Sequence, residues 1–91
     1  MQYFFSEHVF RRMAERSFSP NTIKEVIQNG IIIKEYPDDT PYPSRLILGY
    51  DGNRPIHVVS AYDQDDDMEY IITVYEPDTQ LWTSDFTKRR N

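Results

Sequence analysis

Two short stretches of this chain carry side chains that could do chemistry together. In residues 6–16, His8, Arg12 and Arg16 are spaced i, i+4, i+8, so a helix would place them on one stripe. In residues 70–77, Thr73 and Tyr75 alternate with Ile72 and Val74, so a strand would put the hydroxyl and the phenol on one face, with Ile71. A second imidazole, His57, sits among apolar residues mid-strand. Imidazole, guanidinium and phenol suit cleavage of a phosphodiester without a metal. A histidine near neutrality takes the proton of a ribose 2′-hydroxyl, and His8 or His57 could do so. Arg12 and Arg16, with Arg45, would hold the phosphate and stabilise its added charge. Tyr75 or the other histidine would stack on a base or protonate the leaving oxygen.

Each feature also has a plainer reading. The polar face of the first helix can simply be solvated, with ion pairs worth a few tenths of a kcal/mol. Glu7, Arg11 and Glu15 form a stripe that pairs internally, whereas Arg12 and Arg16 have no obvious acidic partner. His57 can be a core histidine bonded to a backbone carbonyl, and Tyr75 a core aromatic. Whether the two share a face depends on strand register, which sequence leaves open. Asp63, Asp65 and Asp67 alternate as in calcium loops, but Met68 and Val74 stand where Gly and Glu would be needed, so residues 63–67 read as a turn. Two distant histidines without cysteine argue against zinc. No phosphate-cradling glycine loop is present. No cofactor is expected.

The elements that must position these groups are readable. Ser6 is a good N-cap, and Val9, Phe10, Met13 and Ala14 fall on one side of the helix that follows. Ser19 and Pro20 open a second helix with Ile23, Val26 and Ile27 as its apolar stripe. Asn29-Gly30 ends it, with Gly30 suited to a left-handed cap. Strands follow at 31–36, 45–50, 56–62 and 69–76. They are separated by a proline-rich loop (37–43), an Asp51-Gly52-Asn53 hairpin turn and the acidic turn. The order α-α-β-β-β-β predicts an α+β domain, two helices on one face of a four-stranded antiparallel sheet. Residues 76–91 form a tail, with Leu81, Trp82 and Phe86 as its anchors.

Ninety-one residues make one domain, 1–91. Thirteen aromatic residues (7 Tyr, 5 Phe, 1 Trp) supply apolar area for its small core. There is no cysteine, so no disulfide framework. No signal peptide or membrane span is visible, and a cytoplasmic location is expected. The net charge of −5 disfavours generic nucleic-acid binding. Its distribution is uneven: residues 1–30 hold four basic and three acidic groups, residues 31–91 six and twelve. A local basic patch on the first helix and at Lys88-Arg89-Arg90 is compatible with that balance.

The ordered motifs resemble a known family. They are His8-Val9-Phe10-Arg11-Arg12-Met13-Ala14-Glu15-Arg16, Asn29-Gly30, Glu35-Tyr36-Pro37-Asp38-Asp39, Leu46-Ile47-Leu48-Gly49 and Pro55-Ile56-His57-Val58-Val59. Ile71-Ile72-Thr73-Val74-Tyr75-Glu76-Pro77-Asp78 and a tail with Trp82, Asp85-Phe86 and Arg89-Arg90 complete them. Together they resemble small bacterial domains of unknown function often encoded beside a zinc-finger antitoxin of the MqsA or YgiT kind. The resemblance implies a RelE-like fold within the barnase–colicin ribonuclease group, and a toxin that cleaves RNA and is restrained by its antitoxin. It carries His8, Arg12, Arg16, His57, Thr73 and Tyr75 at matching positions without assigning their roles. Arg45 and Thr73 are read as substrate-binding. The chain departs from the strongly basic surface usual for RelE-like toxins. The alternative is a non-catalytic module that binds an antitoxin-like protein by strand addition or in a hydrophobic groove. His8 and the arginines would then be structural.

Overall fold

Two serines start the two helices. Ser6 Oγ accepts the backbone N–H of Val9 at 3.2 Å, and Ser19 Oγ that of Thr22 at 3.1 Å. In the computed structural model, which describes residues 1–91, they open α1 (Glu7–Glu15) and α2 (Pro20–Asn29). A strand the sequence pattern did not announce, β1 (Gln2–Phe5), precedes them. β2 (Ile31–Tyr36), β3 (Ser44–Asp51), β4 (Arg54–Asp63) and β5 (Met68–Tyr75) follow.

The sheet therefore has five strands, in the order β1-β5-β4-β3-β2, and it is mixed. β2 to β5 form the expected antiparallel meander, while β1 pairs parallel to β5. The expectation of four antiparallel strands missed β1 for a physical reason. It is four residues long and pairs with residues 68–71, far along the chain, so no local turn betrays it. Its alternation is nonetheless real: Tyr3 and Phe5 pack against the core, and Gln2 and Phe4 are exposed.

Both helices lie on one face. Val9 and Met13 from α1, and Ile23, Val26 and Ile27 from α2, pack with Ile47, Ile56, Val58, Ile71 and Val74 of the sheet. Fully burying such side chains contributes roughly 1.5–3 kcal/mol each. Arg54 clamps the α1–α2 connection to the sheet. Its guanidinium donates to the carbonyls of Arg16 and Ser17, pairs with Glu76 at 2.7 Å and lies 4.1 Å from the Phe18 ring centre. No helix is long and apolar enough to cross a membrane.

Gly30 does not adopt the left-handed cap expected of it. Its backbone is extended, with φ −74° and ψ 178°. What demands glycine there is space: a Cβ would lie 2.4 Å from the Val26 carbonyl oxygen and 2.6 Å from that of Leu48. Backbone atoms cannot swing aside as a flexible side chain can. Gly30→Ala should therefore cost about 1–3 kcal/mol, and thermal unfolding followed by circular dichroism should show a Tm lower by several degrees.

Candidate functional site

The face of the sheet opposite the helices is built in rows. Residues paired across antiparallel strands share a face. One row is Leu48–His57–Tyr75, the next Leu46–Val59–Thr73. His57 and Tyr75, whose relation was open in the sequence, are thus direct cross-strand partners.

Two β-bulges decide which side chains reach this face. Between Val59 and Ser60 the β4–β5 register slips, leaving Ile72 without a partner. Ile71 consequently points to the helices, while Thr73 and Tyr75 point away, which corrects the simple alternation that grouped all three. A second slip, at Ile33 in β2, puts Lys34 opposite Leu46 and Tyr36 opposite Ser44 on the same outer face.

The C-terminal segment folds over these rows. The Asp78 carbonyl accepts the N–H groups of Leu81 and Trp82, each at 3.0 Å. A tight hairpin closed by a Trp82–Arg89 bridge follows. Asp85 caps its tip, accepting the hydroxyls of Thr83 and Thr87 at 2.7 and 2.8 Å; these bonds hold its carboxyl below the ordinary range. Trp82 is buried edge-on against the His57 ring, with centroids 4.4 Å apart.

His57 ties this hairpin to the sheet. Its Nε2 is 2.9 Å from the Phe86 carbonyl oxygen and its Nδ1 3.2 Å from the Tyr75 hydroxyl. A carbonyl only accepts, so Nε2 carries the hydrogen and Nδ1 accepts from Tyr75. The imidazole is fully buried, and burial pushes its pKa down, partly offset by the bond to Phe86. Burial pushes the Tyr75 phenol up. Tyr36 adds to that rise and the Arg89 guanidinium opposes it.

Between the hairpin and β2 lies a cleft of about 560 Å³. Leu46 and Val59 form its floor; Tyr36, Tyr75 and Trp82 give it aromatic walls; Lys34, Lys88 and Arg89 supply three cations. Lys34 lies 5.4 Å from the Tyr36 ring centre, and Arg89 5.6 Å from that of Trp82. Such a site can hold an anion beside a flat ring. Lys88 and Arg89 stand out in the sequence as a basic tail and Tyr36 belongs to a quoted motif, but nothing local marks Lys34 or the facing of Tyr36, which the bulge delivers.

The remaining sequence-derived residues lie elsewhere. His8, Arg12 and Arg16 belong to α1 and its C-cap, on the opposite side of the sheet from Tyr75. Arg45 faces the helix side, where its Nη2 meets the fully buried Glu69 carboxylate at 2.5 Å. Ser60 donates to the same Glu69 oxygen at 3.0 Å. Thr73 is half-buried in the row beside Tyr75.

The chain belongs to the DUF4258 family, described as a domain of unknown function, whose pattern matches residues 5–76. The match takes in both helices, β2 to β5, His57 and Tyr75, and ends before the C-terminal hairpin. No curated protein and no solved structure matches the chain.

Burial of His57 has a pH signature. Its folded pKa lies below the ordinary 6.5, so the unfolded chain binds a proton that the folded chain refuses. Stability should be full above that value and fall as the pH drops below it. Asp67 and Asp85, both held low, add their loss only below the ordinary aspartate value of 3.8. Tm measured from about pH 8 to pH 5 should decline for the native chain and change far less for His57→Gln. Trp82 fluorescence should shift to the red in that variant as the hairpin loosens.

Proposed function

We propose that the cleft binds RNA and cleaves it, making the chain a metal-independent endoribonuclease of the toxin type. The observation that carries this reading is the concentration of three cations and three aromatic rings around one cleft in a chain of net charge −5. Cations track a phosphate backbone, and aromatic faces stack on unpaired bases at about 1–3 kcal/mol each. The resemblance of the motifs to small bacterial domains encoded beside an antitoxin, which implies a RelE-like fold, supports the same assignment.

The reaction uses the groups at hand. The ribose 2′-oxygen attacks the adjacent phosphorus, and the bond from phosphorus to the 5′-oxygen breaks. The 2′-hydroxyl proton passes to the Tyr75 oxygen while Tyr75 gives its own proton to Nδ1 of His57. Burial disfavours that imidazolium, and the phosphate anion bound beside it favours it. Lys34, Lys88 and Arg89 stabilise the charge gathering on the phosphoryl oxygens. An ammonium of the rim protonates the departing 5′-oxygen, leaving a 2′,3′-cyclic phosphate and a 5′-hydroxyl. A cognate antitoxin, of the zinc-finger kind, restrains the activity.

A second reading has its own observation. β2 is an edge strand with Ile31 and Ile32 exposed at 63% and 47%, a surface fit for strand addition by a partner. Under it the chain is a non-catalytic interaction module.

A labelled single-stranded RNA incubated with the chain in the presence of a chelator separates the two. Cleavage should leave cyclic phosphate ends. Tyr75→Phe should slow it at least about 100-fold. It also leaves Nδ1 of His57 unpartnered, at about 1–3 kcal/mol, so the rate is compared at a temperature where circular dichroism shows the variant folded. Arg89→Ala should weaken binding and flatten its salt dependence. Alanine at His8, Arg12 and Arg16 together should leave the rate within about threefold, because those side chains lie across the sheet. RNA left intact, with binding indifferent to Arg89→Ala, would move the assignment to the interaction module.

A further inference from the structure

A second groove lies on the same outer face, and its chemistry is the reverse of the first. The row after Leu46–Val59–Thr73 is Ser44–Ala61–Tyr70. Over it opens a groove of about 540 Å³, with Ala61, Tyr70 and Ile72 beneath and Asp39 to Tyr42 as its wall. Tyr42 lies flat against Tyr70, with ring centroids 5.6 Å apart and planes 8° from parallel. Phe4 meets Tyr70 at 5.7 Å. Phe4 and Ile72, the residue unpaired by the bulge, are 50% and 49% exposed, so this apolar surface is open.

The charge around it is of one sign. Asp39 stands in the wall, and Asp63 and, to a lesser degree, Asp66 are close enough to push the Tyr42 phenol up. Asp39 and Asp63 are already held in place, by the Ser44 hydroxyl and by the backbone N–H groups of Asp65 and Asp66 respectively. No basic side chain lines the groove. An RNA phosphate would be repelled here. A cation on an apolar stem gains three ways: its stem covers the Ile72 and Ala61 surface, its charge lies over electron-rich rings, and carboxylates neutralise it.

We propose that this groove docks a cationic segment of a partner protein, an arginine or lysine flanked by apolar residues. The charge complementarity selects that occupant over an anionic or nucleic-acid one, and the proposal stands whether or not the neighbouring cleft cleaves RNA.

The test is a titration of the isotope-labelled full chain with the peptide acetyl-Leu-Arg-Leu-Arg-Leu-amide, followed by NMR. Resonances of Thr40, Tyr42, Tyr70 and Ile72 should shift, with an affinity that falls as salt rises. Asp39→Asn with Asp66→Asn should weaken binding at least about threefold, while Arg89→Ala should leave it unchanged. The same peptide with Glu in place of Arg should not bind. Absence of shifts at the groove, or equal shifts with the Glu peptide, would overturn the proposal. Failure of the RNA assay alone would leave these shifts intact, so the two readings are separable.

Discussion

The outer face of this sheet depends on two residues that have no partners. Ile33 in β2 and Ile72 in β5 are each the extra residue of a bulge. Side chains alternate with a period of two along a strand, so one unpaired residue inverts the facing of everything beyond it. Without the first bulge, Lys34 and Tyr36 would point with Ile32 toward the helices. Without the second, Thr73 and Tyr75 would follow Glu69 and Ile71 into the helix-side core. A cleft with Lys34, Tyr36 and Tyr75 around one floor exists because both slips occur, one on each side of the β3–β4 pair. The inner face tolerates them, since Val74 and Val58 remain paired and fully buried there.

Given that facing, His57 converts a sheet surface into a cleft. A fully buried imidazole needs partners for both nitrogens, because leaving one unsatisfied costs about 1–3 kcal/mol. One partner lies in the sheet, Tyr75, and the other in the hairpin, Phe86. Satisfying the ring therefore forces the hairpin down onto the sheet, with Trp82 packed edge-on beside it. The Phe86 carbonyl also decides the tautomer, so the Tyr75 hydroxyl hydrogen turns inward and its oxygen lone pairs remain for whatever enters the cleft. The same contacts that stabilise the tail thereby orient the phenol.

Much of the frame was legible in the chain because local chemistry specifies it. Ser6 and Ser19 cap the helices, the apolar stripes of both lie inward, and four strands fall where β-branched and aromatic runs fall. What escaped was non-local. β1 is visible only once it meets β5, more than sixty residues further along the chain. The bulges carry no glycine to mark them, since Ile33 and Ile72 look like ordinary strand residues. Simple alternation therefore joined Tyr75 to Ile71, and periodicity drew attention to the His8–Arg12–Arg16 stripe, which the fold sets on the other side of the sheet. Spacing along one element is a weak guide to a site assembled from four strands and a hairpin. The cation that β2 contributes, Lys34, has an unremarkable neighbourhood in sequence and acquires meaning only from its register with Leu46.

Net charge misleads for a related reason, because it sums over distances at which charges no longer act on each other. From His57 to Ala61 along β4 is four residues, or roughly 13–14 Å at strand spacing. That exceeds the screening length of about 8 Å at physiological ionic strength. The cleft beside His57 and Tyr75 can therefore keep the positive potential of Lys34, Lys88 and Arg89, while the groove beside Ala61 and Tyr70 keeps the negative potential of Asp39, Asp63 and Asp66. Each carries aromatic rings, so each has a flat apolar surface beside charges of one sign. An acidic chain can thus offer an anion a site of its own, while three of its fifteen acids gather where a cation would bind. A partner lying along both grooves would need charges in the opposite order, which is a stricter demand than either groove makes alone and a basis for choosing one partner among many.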